Sequence, residues 1–243
     1  MTAPVTAAPA ATLYARGPFQ AGGVVILDDE ESHHVRVRRL SDGQTVRLVD
    51  GRGGIATARL ALEKNVAAVR VVATTLVPAP AATELLVGAG DRERFLLVVE
   101  KATELGATRI VPLMTERSQQ VATRFLPAHV EKASRRSREA VKQSGAPWMP
   151  LVASPQPIAE ALRTAPPKAI RLLADTEGEP LPAIREGDAV QWAIGPEGGF
   201  TSGERSALLA AGFRPSVLGR ATLRFDTAAI AALALTAQAR FSA

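Results

Sequence analysis

The sequence predicts an α/β protein of two domains, a small N-terminal β-barrel and a C-terminal, mostly parallel sheet covered by helices. Three observations support this prediction. Short apolar alternations fill residues 13–76, strand-like and helix-like runs alternate over residues 84–243, and a Pro/Ala-rich linker at 77–83 lies between the two patterns. The chain has 243 residues, which is long enough for two modest domains.

Five short apolar runs are predicted to form the strands of the barrel, at residues 24–27, 35–40, 45–49, 55–60 and 66–72. Arg36, Arg38 and Arg39 cluster on the second of these strands and are candidate RNA contacts. His33 and His34 come just before them. As neighbours in a strand they would point to opposite faces, so no metal site is expected.

The C-terminal domain alternates strand and helix signals. Strands are predicted at residues 84–88, 110–113, 170–174, 190–194 and 215–218, and helices at 92–105, 130–144, 204–211 and 227–240. This order is typical of a parallel sheet with helices on both faces. The last helix carries no charge from Thr227 to Ala239, so it should be buried in the domain or against a second subunit.

Composition excludes several kinds of chemistry. The chain has no cysteine, which excludes disulfides, thiolate catalysis and cysteine-ligated zinc. Residues 1–12 are rich in Ala, Pro and Thr and contain no Lys or Arg, so a disordered tail is expected there rather than a signal peptide. No apolar run reaches the length of a membrane span, and we expect a soluble, cytoplasmic protein.

Two glycine-containing loops near the C-terminus are the most informative segments. One follows Ile194 and the other follows Leu218, and each lies between a strand-like run and a helix-like run. Glycine lets the backbone approach a ligand closely, and ligands of parallel sheets lie at the carboxyl ends of strands. Each loop alone would also fit an ordinary tight turn, with Thr201 or Ser202 capping the helix after the first loop. Their pairing favours a ligand site.

The excess positive charge of the chain is concentrated in one segment. Residues 117–142 hold seven Lys or Arg against two acids, a net charge of +5 that equals that of the whole chain. A helix face this basic predicts phosphate binding, and the alternative is a solvated face. The candidate RNA contacts on this helix are Lys132, Arg135, Arg138 and Lys142.

The usual nucleotide-binding glycine motifs and the hydrolase nucleophile elbow are absent. Five segments, at residues 100–106, 116–118, 139–144, 194–199 and 218–228, instead resemble the bacterial 16S rRNA (uracil-N3)-methyltransferase family of the SPOUT superfamily. Residues 34–39, Gly43 and residues 50–51 look like that family's PUA-like barrel. The resemblance runs from about Tyr14 to Phe241.

The resemblance implies a SPOUT α/β-knot, with a trefoil knot in the C-terminal sheet, a homodimer and the cofactor S-adenosyl-L-methionine. It also implies that the product is 3-methyluridine, formed from uracil 1498 of 16S rRNA in the small ribosomal subunit. Carried over position by position, the cofactor-binding residues are Leu173, Ala174, Asp175, Ile194, Gly195, Pro196, Glu197, Gly198, Leu218, Gly219 and Leu223.

Methyl transfer to uracil N3 is an in-line displacement that needs no metal but requires loss of the N3 proton. The candidate catalytic residues are Arg224, Asp226 and Arg117. Arg224 would stabilise the developing uracilate or anchor an RNA phosphate, although Arg224 and Asp226 could each pair with other residues structurally, or Asp226 could cap the last helix. The family usually has Glu at the position of Asp226. Two alternatives stay open: a SPOUT methyltransferase with another RNA target, or a non-catalytic ribosome-assembly protein.

Overall fold

The computed structural model describes residues 8–63 and 66–241. It divides into two compact units. The first contains the chain up to Ala79 together with Val141–Trp148, and the second contains Pro80–Ala140 and the chain from Met149 onward. None of the helices in the described residues is long and apolar enough to cross a membrane.

A five-stranded mixed sheet forms the first unit, in the order β1-β3-β4-β5-β2. Its strands are β1 (Thr12–Tyr14), β2 (Val24–Ile26), β3 (Thr45–Val49), β4 (Gly54–Glu63) and β5 (Val66–Leu76). β1 and β3 are parallel and the other pairs are antiparallel. Alternate residues such as Leu13, Leu48 and Val69 form the core on one face, where they pack with Val35 of helix α1 (Asp29–Val37).

The prediction of a strand at residues 35–40 is wrong, because most of this segment lies in or just after α1. The Asp28 side chain accepts a hydrogen bond from the Glu31 N–H and caps the helix, and acidic residues fill the first turn. Arg36 and Arg38 therefore lie at the end of a helix, and Arg39 follows with a φ of 52°. The histidines of this segment are helical too. Alternation of Val35 and Val37 suggested a strand, yet only Val35 is buried.

The expected boundaries of the first domain also change. Residues 1–7 of the expected tail lie outside the described residues, but Ala11 is buried and Thr12 begins β1, so ordered structure starts before residue 13. At the other end, the Trp148 indole N–H donates to the carbonyls of Val77 and Pro78. This contact holds the start of the expected linker against a segment from much later in the chain.

The second unit contains a seven-stranded parallel sheet, ordered β12-β10-β11-β6-β7-β8, with β9 also paired to β7. Its strands are β6 (Thr83–Gly88), β7 (Arg109–Met114), β8 (Leu151–Val152), β9 (Gln156–Pro157), β10 (Ile170–Glu179), β11 (Val190–Ile194) and β12 (Arg214–Ser216). Its helices are α2 (Arg92–Glu104), α3 (Val130–Ser144), α4 (Ile158–Arg163), α5 (Ser202–Ala210) and α6 (Phe225–Phe241). The last turn of α3 belongs to the first unit.

Both faces of this sheet are covered, as the alternation of strands and helices predicts. Trp192 and Phe95 belong to the core cluster on one face, whereas Ala193 and Leu208 belong to the cluster on the other. The indole N–H of Trp192 donates to the hydroxyl of Thr236 in α6 at 2.9 Å, which satisfies a polar group that would otherwise be buried unpaired. Because β11 and β12 both neighbour β10, their carboxyl ends meet the middle of β10 at one edge of the sheet.

Candidate active site

A cavity of about 340 Å³ lies where the middle of β10 passes the carboxyl ends of β11 and β12. Its volume lies within the range of small-molecule pockets. Apolar side chains and backbone form most of the wall, and a few polar side chains join them. The lining residues are Leu173–Thr176, Ile194–Glu197, Gly199, Phe200, Arg205, Leu218, Gly219, Ala221–Leu223, Phe225 and Ala228.

Ten of the eleven residues proposed from the sequence as cofactor contacts line this one cavity. They come from three separate segments: Leu173, Ala174 and Asp175 within β10, Ile194 to Glu197 at and after the end of β11, and Leu218, Gly219 and Leu223 after β12. The exception is Gly198, whose carbonyl accepts a hydrogen bond from Arg117 instead. Gly198 therefore faces the segment that follows β7. A substitution at Gly198 would not test ligand binding in the cavity.

The loop after β11 is held against the loop after β6. The Glu197 carboxylate accepts a hydrogen bond from the backbone N–H of Asp91, the N-cap residue of α2, at 3.0 Å. Gly88 packs so closely on Pro196 that an added Cβ would lie 2.5 Å from the proline nitrogen and Cδ. Gly90 leaves room for the Glu197 carboxylate. These contacts fix the position of two residues that line the cavity.

A second set of contacts holds the other side of the same loop. Thr201 and Glu204 form a capping box at the start of α5, as the sequence predicts for Thr201. Glu204 also accepts from the backbone N–H of Glu116 at 2.8 Å, and Arg117 donates to the carbonyls of Gly198 and Phe200. Arg117 thus connects the β7 loop to the β11 loop and is not among the lining residues.

Asp175 and Arg205 supply an ion pair at the cavity. The Arg205 Nε and Nη2 atoms lie 3.0 and 2.9 Å from Asp175 Oδ2, and both residues line the wall. The sequence motifs predict Asp175 but not Arg205, which comes from the first turns of α5, 30 positions away. This pair places a charged acceptor and donor beside the apolar side chains of the wall, where they can orient a polar ligand.

Arg224 and Asp226 form a bidentate ion pair next to the cavity. Arg224 lies between Leu223 and Phe225, which line the wall, but its own side chain does not. Its Nε and Nη2 atoms donate to the two Asp226 oxygens at 2.6 Å each. These bonds lower the pKa of Asp226 against the opposing effect of burial, and they raise the pKa of Arg224. Asp226 lies inside α6, which begins at Phe225, so it is not the residue preceding the helix that an N-cap requires.

The structure separates the RNA-contact candidates into buried, paired and exposed groups. Lys142 is buried and its Nζ lies 2.7 Å from a carboxylate oxygen of Glu31, so the prediction that it contacts RNA is wrong. Lys132 pairs with Glu93, and Arg135 pairs with Glu131 at 3.5 Å. Arg138 is half-buried. Arg36, Arg38 and Arg39 are exposed, although on the end of α1 rather than on a strand.

Several site residues were missed from the sequence. The lining residues Thr176, Phe200, Phe225 and Ala228 were not proposed, nor were Gly88, Gly90 and Asp91. Gly88 and Gly90 carried a usable signal, because they follow a strand and precede a helix as the other glycine loops do. Among the described residues, no group of three or more histidine, aspartate or glutamate side chains is placed to hold a metal ion.

Comparison with protein families gives two matches, one in each part of the chain. Residues 77–237 match the RNA methyltransferase domain family, and residues 27–71 match the RNA methyltransferase PUA domain family. The first match alone covers more than half of the chain. It includes every strand of the parallel sheet and all residues that line the cavity.

Individual relatives agree with these matches. A protein from Synechocystis sp. named ribosomal RNA small subunit methyltransferase E is 33% identical over 221 residues, covering 86% of this chain and 71% of the relative. The crystal structure of a ribosomal RNA small subunit methyltransferase E from Neisseria gonorrhoeae, bound to S-adenosyl methionine, has a TM-score of 0.85 at 29% identity, covering 95% of this chain and 98% of that one. A methyltransferase from Legionella pneumophila in complex with SAM has a TM-score of 0.83 at 27% identity, covering 94% and 97%.

Proposed function

Since this chain belongs to the ribosomal RNA small subunit methyltransferase E family, we propose that it transfers a methyl group from S-adenosylmethionine to small-subunit ribosomal RNA. We further propose that the acceptor is N3 of a uracil, uracil 1498 of 16S rRNA, as the sequence resemblance implies. The observation that carries the proposal is the single cavity in which three chain-distant segments bring together ten of the residues expected from the family motifs.

The residues of the cavity fit this cofactor. Leu173, Ile194 and Leu218 provide an apolar wall of the kind that accommodates a purine ring, and Gly195 and Gly219 leave backbone groups accessible beside it. A Cβ added to Gly219 would meet no atom within 4 Å, so space adjoins the backbone there. The Asp175–Arg205 pair supplies a carboxylate and a guanidinium for the hydroxyl, amino and carboxylate groups of such a ligand.

S-adenosylmethionine supplies an electrophilic methyl group on a sulfonium when it is bound. The protein must then hold the acceptor base in line with that methyl group and favour loss of the N3 proton. A fixed cation beside the reacting atoms stabilises negative charge that develops on the base. Arg224, between two lining residues, is the cation that we assign to this role.

Asp226 is better suited to positioning Arg224 than to removing the proton. Its carboxylate is nearly enclosed, both oxygens accept from Arg224, and its lowered pKa makes it a weak base. Two of the guanidinium nitrogens donate to Asp226, which orients the guanidinium group. The third nitrogen, Nη1, is left to contact the acceptor uracil. Arg117, which binds the carbonyls of the β11 loop, is assigned to holding that loop.

The homodimer and the trefoil knot implied by the resemblance are part of this proposal. A second subunit would cover apolar side chains of α6 that are exposed in the single chain, notably Leu235 and Phe241. The knot is consistent with β10, β11 and β12 lying side by side while the segments between them cross over the sheet.

Cofactor binding and methyl transfer test the proposal together. Calorimetric titration of the purified protein should show saturable binding of S-adenosylmethionine, and incubation with labelled cofactor and unmodified small-subunit rRNA should label the RNA. Arg163→Glu, on the exposed side of α4, is a matched control that should leave both signals unchanged. Absence of labelling on both free rRNA and small ribosomal subunits, by a protein that binds the cofactor, would reject rRNA as the substrate.

A further inference from the structure

The outward face of the sheet in the first unit carries two exposed arginines directly opposite each other. Arg59 of β4 and Arg70 of β5 are Cα partners in the antiparallel pair. Their neighbours in sequence, including Leu60, Val69 and Val71, are buried on the opposite face. Residues opposite each other in this way have Cβ atoms about 4.5–5.5 Å apart. From these backbone positions both guanidinium groups can reach one small anion.

This arrangement is unfavourable for the isolated protein, because like charges directly opposite in a sheet destabilise it. Among the described residues neither arginine forms an ion pair with a carboxylate: Arg59 donates only to the carbonyl of Gly43 at 3.3 Å, and Arg70 has no partner. The five strands contain a single acidic residue, Glu63, which is four positions beyond Arg59 at the end of β4. The pair thus has the charge and spacing that an external anion would complement.

The surroundings of the pair are open and partly apolar. Val24 of β2 is the Cα partner of Arg70 on its other side, and Val24, Ile26 and Val72 are all well exposed. At the far end of the same face, Arg47 donates to the carbonyl of Gly145, so the segment 141–148 covers that end. The exposed part of the face is therefore the part that contains Arg59 and Arg70.

The basic helix α3 differs from this face in one respect that matters for RNA binding. Its cations largely have protein partners: Lys132 with Glu93, Arg135 with Glu131, Arg136 with Glu100, and Lys142 with Glu31. An arginine that already pairs with a carboxylate has to exchange that partner for a phosphate. Arg59 and Arg70 have no carboxylate to exchange among the described residues, so their charge is fully available to a polyanion.

We propose that Arg59 and Arg70 form a phosphate-binding site for the RNA substrate, with Val24, Ile26 and Val72 contacting the sugars and bases next to that phosphate. Arginine pairs phosphate with high geometric specificity, and backbone phosphate contacts fix the register of a protein on its nucleic acid. This inference rests on the proposed function, because it names the surface by which the first unit holds the rRNA. The surface lies on a sheet face that no motif in the sequence marks.

The test is the salt dependence of binding to a full-length 16S rRNA transcript. Arg70→Glu should weaken binding about tenfold at low salt, as expected when a charged hydrogen bond is removed. It should also reduce the slope of log affinity against log salt by about 0.7–0.9 for each phosphate that the variant no longer neutralises. Arg59→Glu should do the same. Arg163→Glu makes the identical charge change on an exposed arginine of α4 and should leave the slope close to that of the wild type.

Melting temperature and cofactor affinity show whether a variant has lost its fold or its cofactor site rather than an RNA contact. Arg70→Glu places opposite charges across from each other, so its melting temperature should not fall, and Arg70→Gln serves as a milder variant in case it does. Affinity for S-adenosylmethionine should stay within twofold of the wild type. Since the assay measures binding alone, it remains valid even if the wild-type protein methylates a different RNA or none.

Two outcomes would overturn the inference. One is an rRNA affinity and salt slope in both arginine variants that match the Arg163→Glu control. The other is unchanged binding to free rRNA combined with loss of binding to assembled small ribosomal subunits, which would assign the face to a ribosomal protein instead.

Discussion

Arg224 and Asp226 form a bidentate ion pair in which the two partners differ sharply in exposure. The Arg224 side chain is 54% exposed, whereas that of Asp226 is 3% exposed, and both N–O distances are 2.6 Å. The aspartate therefore acts as a fixed anchor in the first turn of α6, and the guanidinium extends from it toward solvent. Leu223 and Phe225, on either side of Arg224, line the cavity, so the anchor holds a cation beside the cavity.

Arg224→Ala should preserve cofactor affinity within a few-fold and reduce single-turnover methylation by roughly a hundredfold or more, the usual effect of removing one stabilising donor. Raising the pH should restore part of the rate, because solvent then deprotonates the acceptor base. Rapid-quench measurements at saturating cofactor and RNA provide the test. Near-normal turnover would remove Arg224 from the mechanism. Loss of cofactor binding would reassign it to holding the loop.

Asp226→Asn tests the anchor through the pH dependence of stability. The hydrogen bond from Arg224 lowers the pKa of Asp226 from its ordinary value of 3.8, with burial opposing. A lowered folded-state pKa means that the carboxylate stabilises the fold above pH 3.8 and that this contribution is lost as the pH falls through the folded-state value. Melting temperatures of wild type and variant should therefore differ at about pH 6, and the difference should shrink as the pH falls below 3.8. A difference that stays constant over this range would contradict the role of the ionised pair.

Gly88→Ala and Gly90→Ala form a matched pair that tests how the β11 loop is held. An added Cβ at Gly88 would lie 2.5 Å from the Pro196 nitrogen and ring, which cannot move without moving the loop after β11. At Gly90 the obstacle is the end of the Glu197 side chain, which can rotate away. We expect Gly88→Ala to destabilise the fold by about 1–3 kcal/mol and to weaken cofactor binding. Gly90→Ala should have the smaller effect on both, and equal effects would argue against a rigid contact at Pro196.

Gly219→Val tests whether the cavity is the cofactor site without disturbing the fold. Gly219 lines the cavity, its φ is not in the left-handed region, and an added Cβ would meet no atom within 4 Å. The variant should therefore melt like the wild type while losing affinity for S-adenosylmethionine, because the new side chain occupies ligand space. Gly203→Val, on the exposed start of α5 and equally free of close contacts, is the control. Wild-type cofactor affinity in Gly219→Val would place the cofactor elsewhere.

Local patterns in the sequence were sufficient for much of the C-terminal sheet. Strands such as β11 are uninterrupted apolar runs, and glycines mark the points where they end, so both the strands and their loops could be located. The same local reasoning failed at α1. There Val35 and Val37 alternate like a strand, but the Asp28 cap and the acidic first turn favour a helix.

Contacts between distant segments could not be predicted in this way. Arg205 reaches Asp175 across 30 positions, and Glu197 reaches Asp91 across 106. Lys142 looked like a surface cation on a basic helix, yet its partner Glu31 lies 111 positions earlier. Counting charges along the chain gives no information on which of them already have a partner, and that information decides which arginines are available to RNA.

The most direct test of the central claim is nucleoside analysis of the product by mass spectrometry. Unmodified small-subunit rRNA, both free and in small ribosomal subunits, would be incubated with the protein and S-adenosylmethionine, digested and compared with a reaction containing the Gly219→Val variant. We expect 3-methyluridine at one position, formed by the wild type and absent with the variant. A different methylated nucleoside, or no methylated nucleoside from a protein that binds the cofactor, would contradict the proposed function.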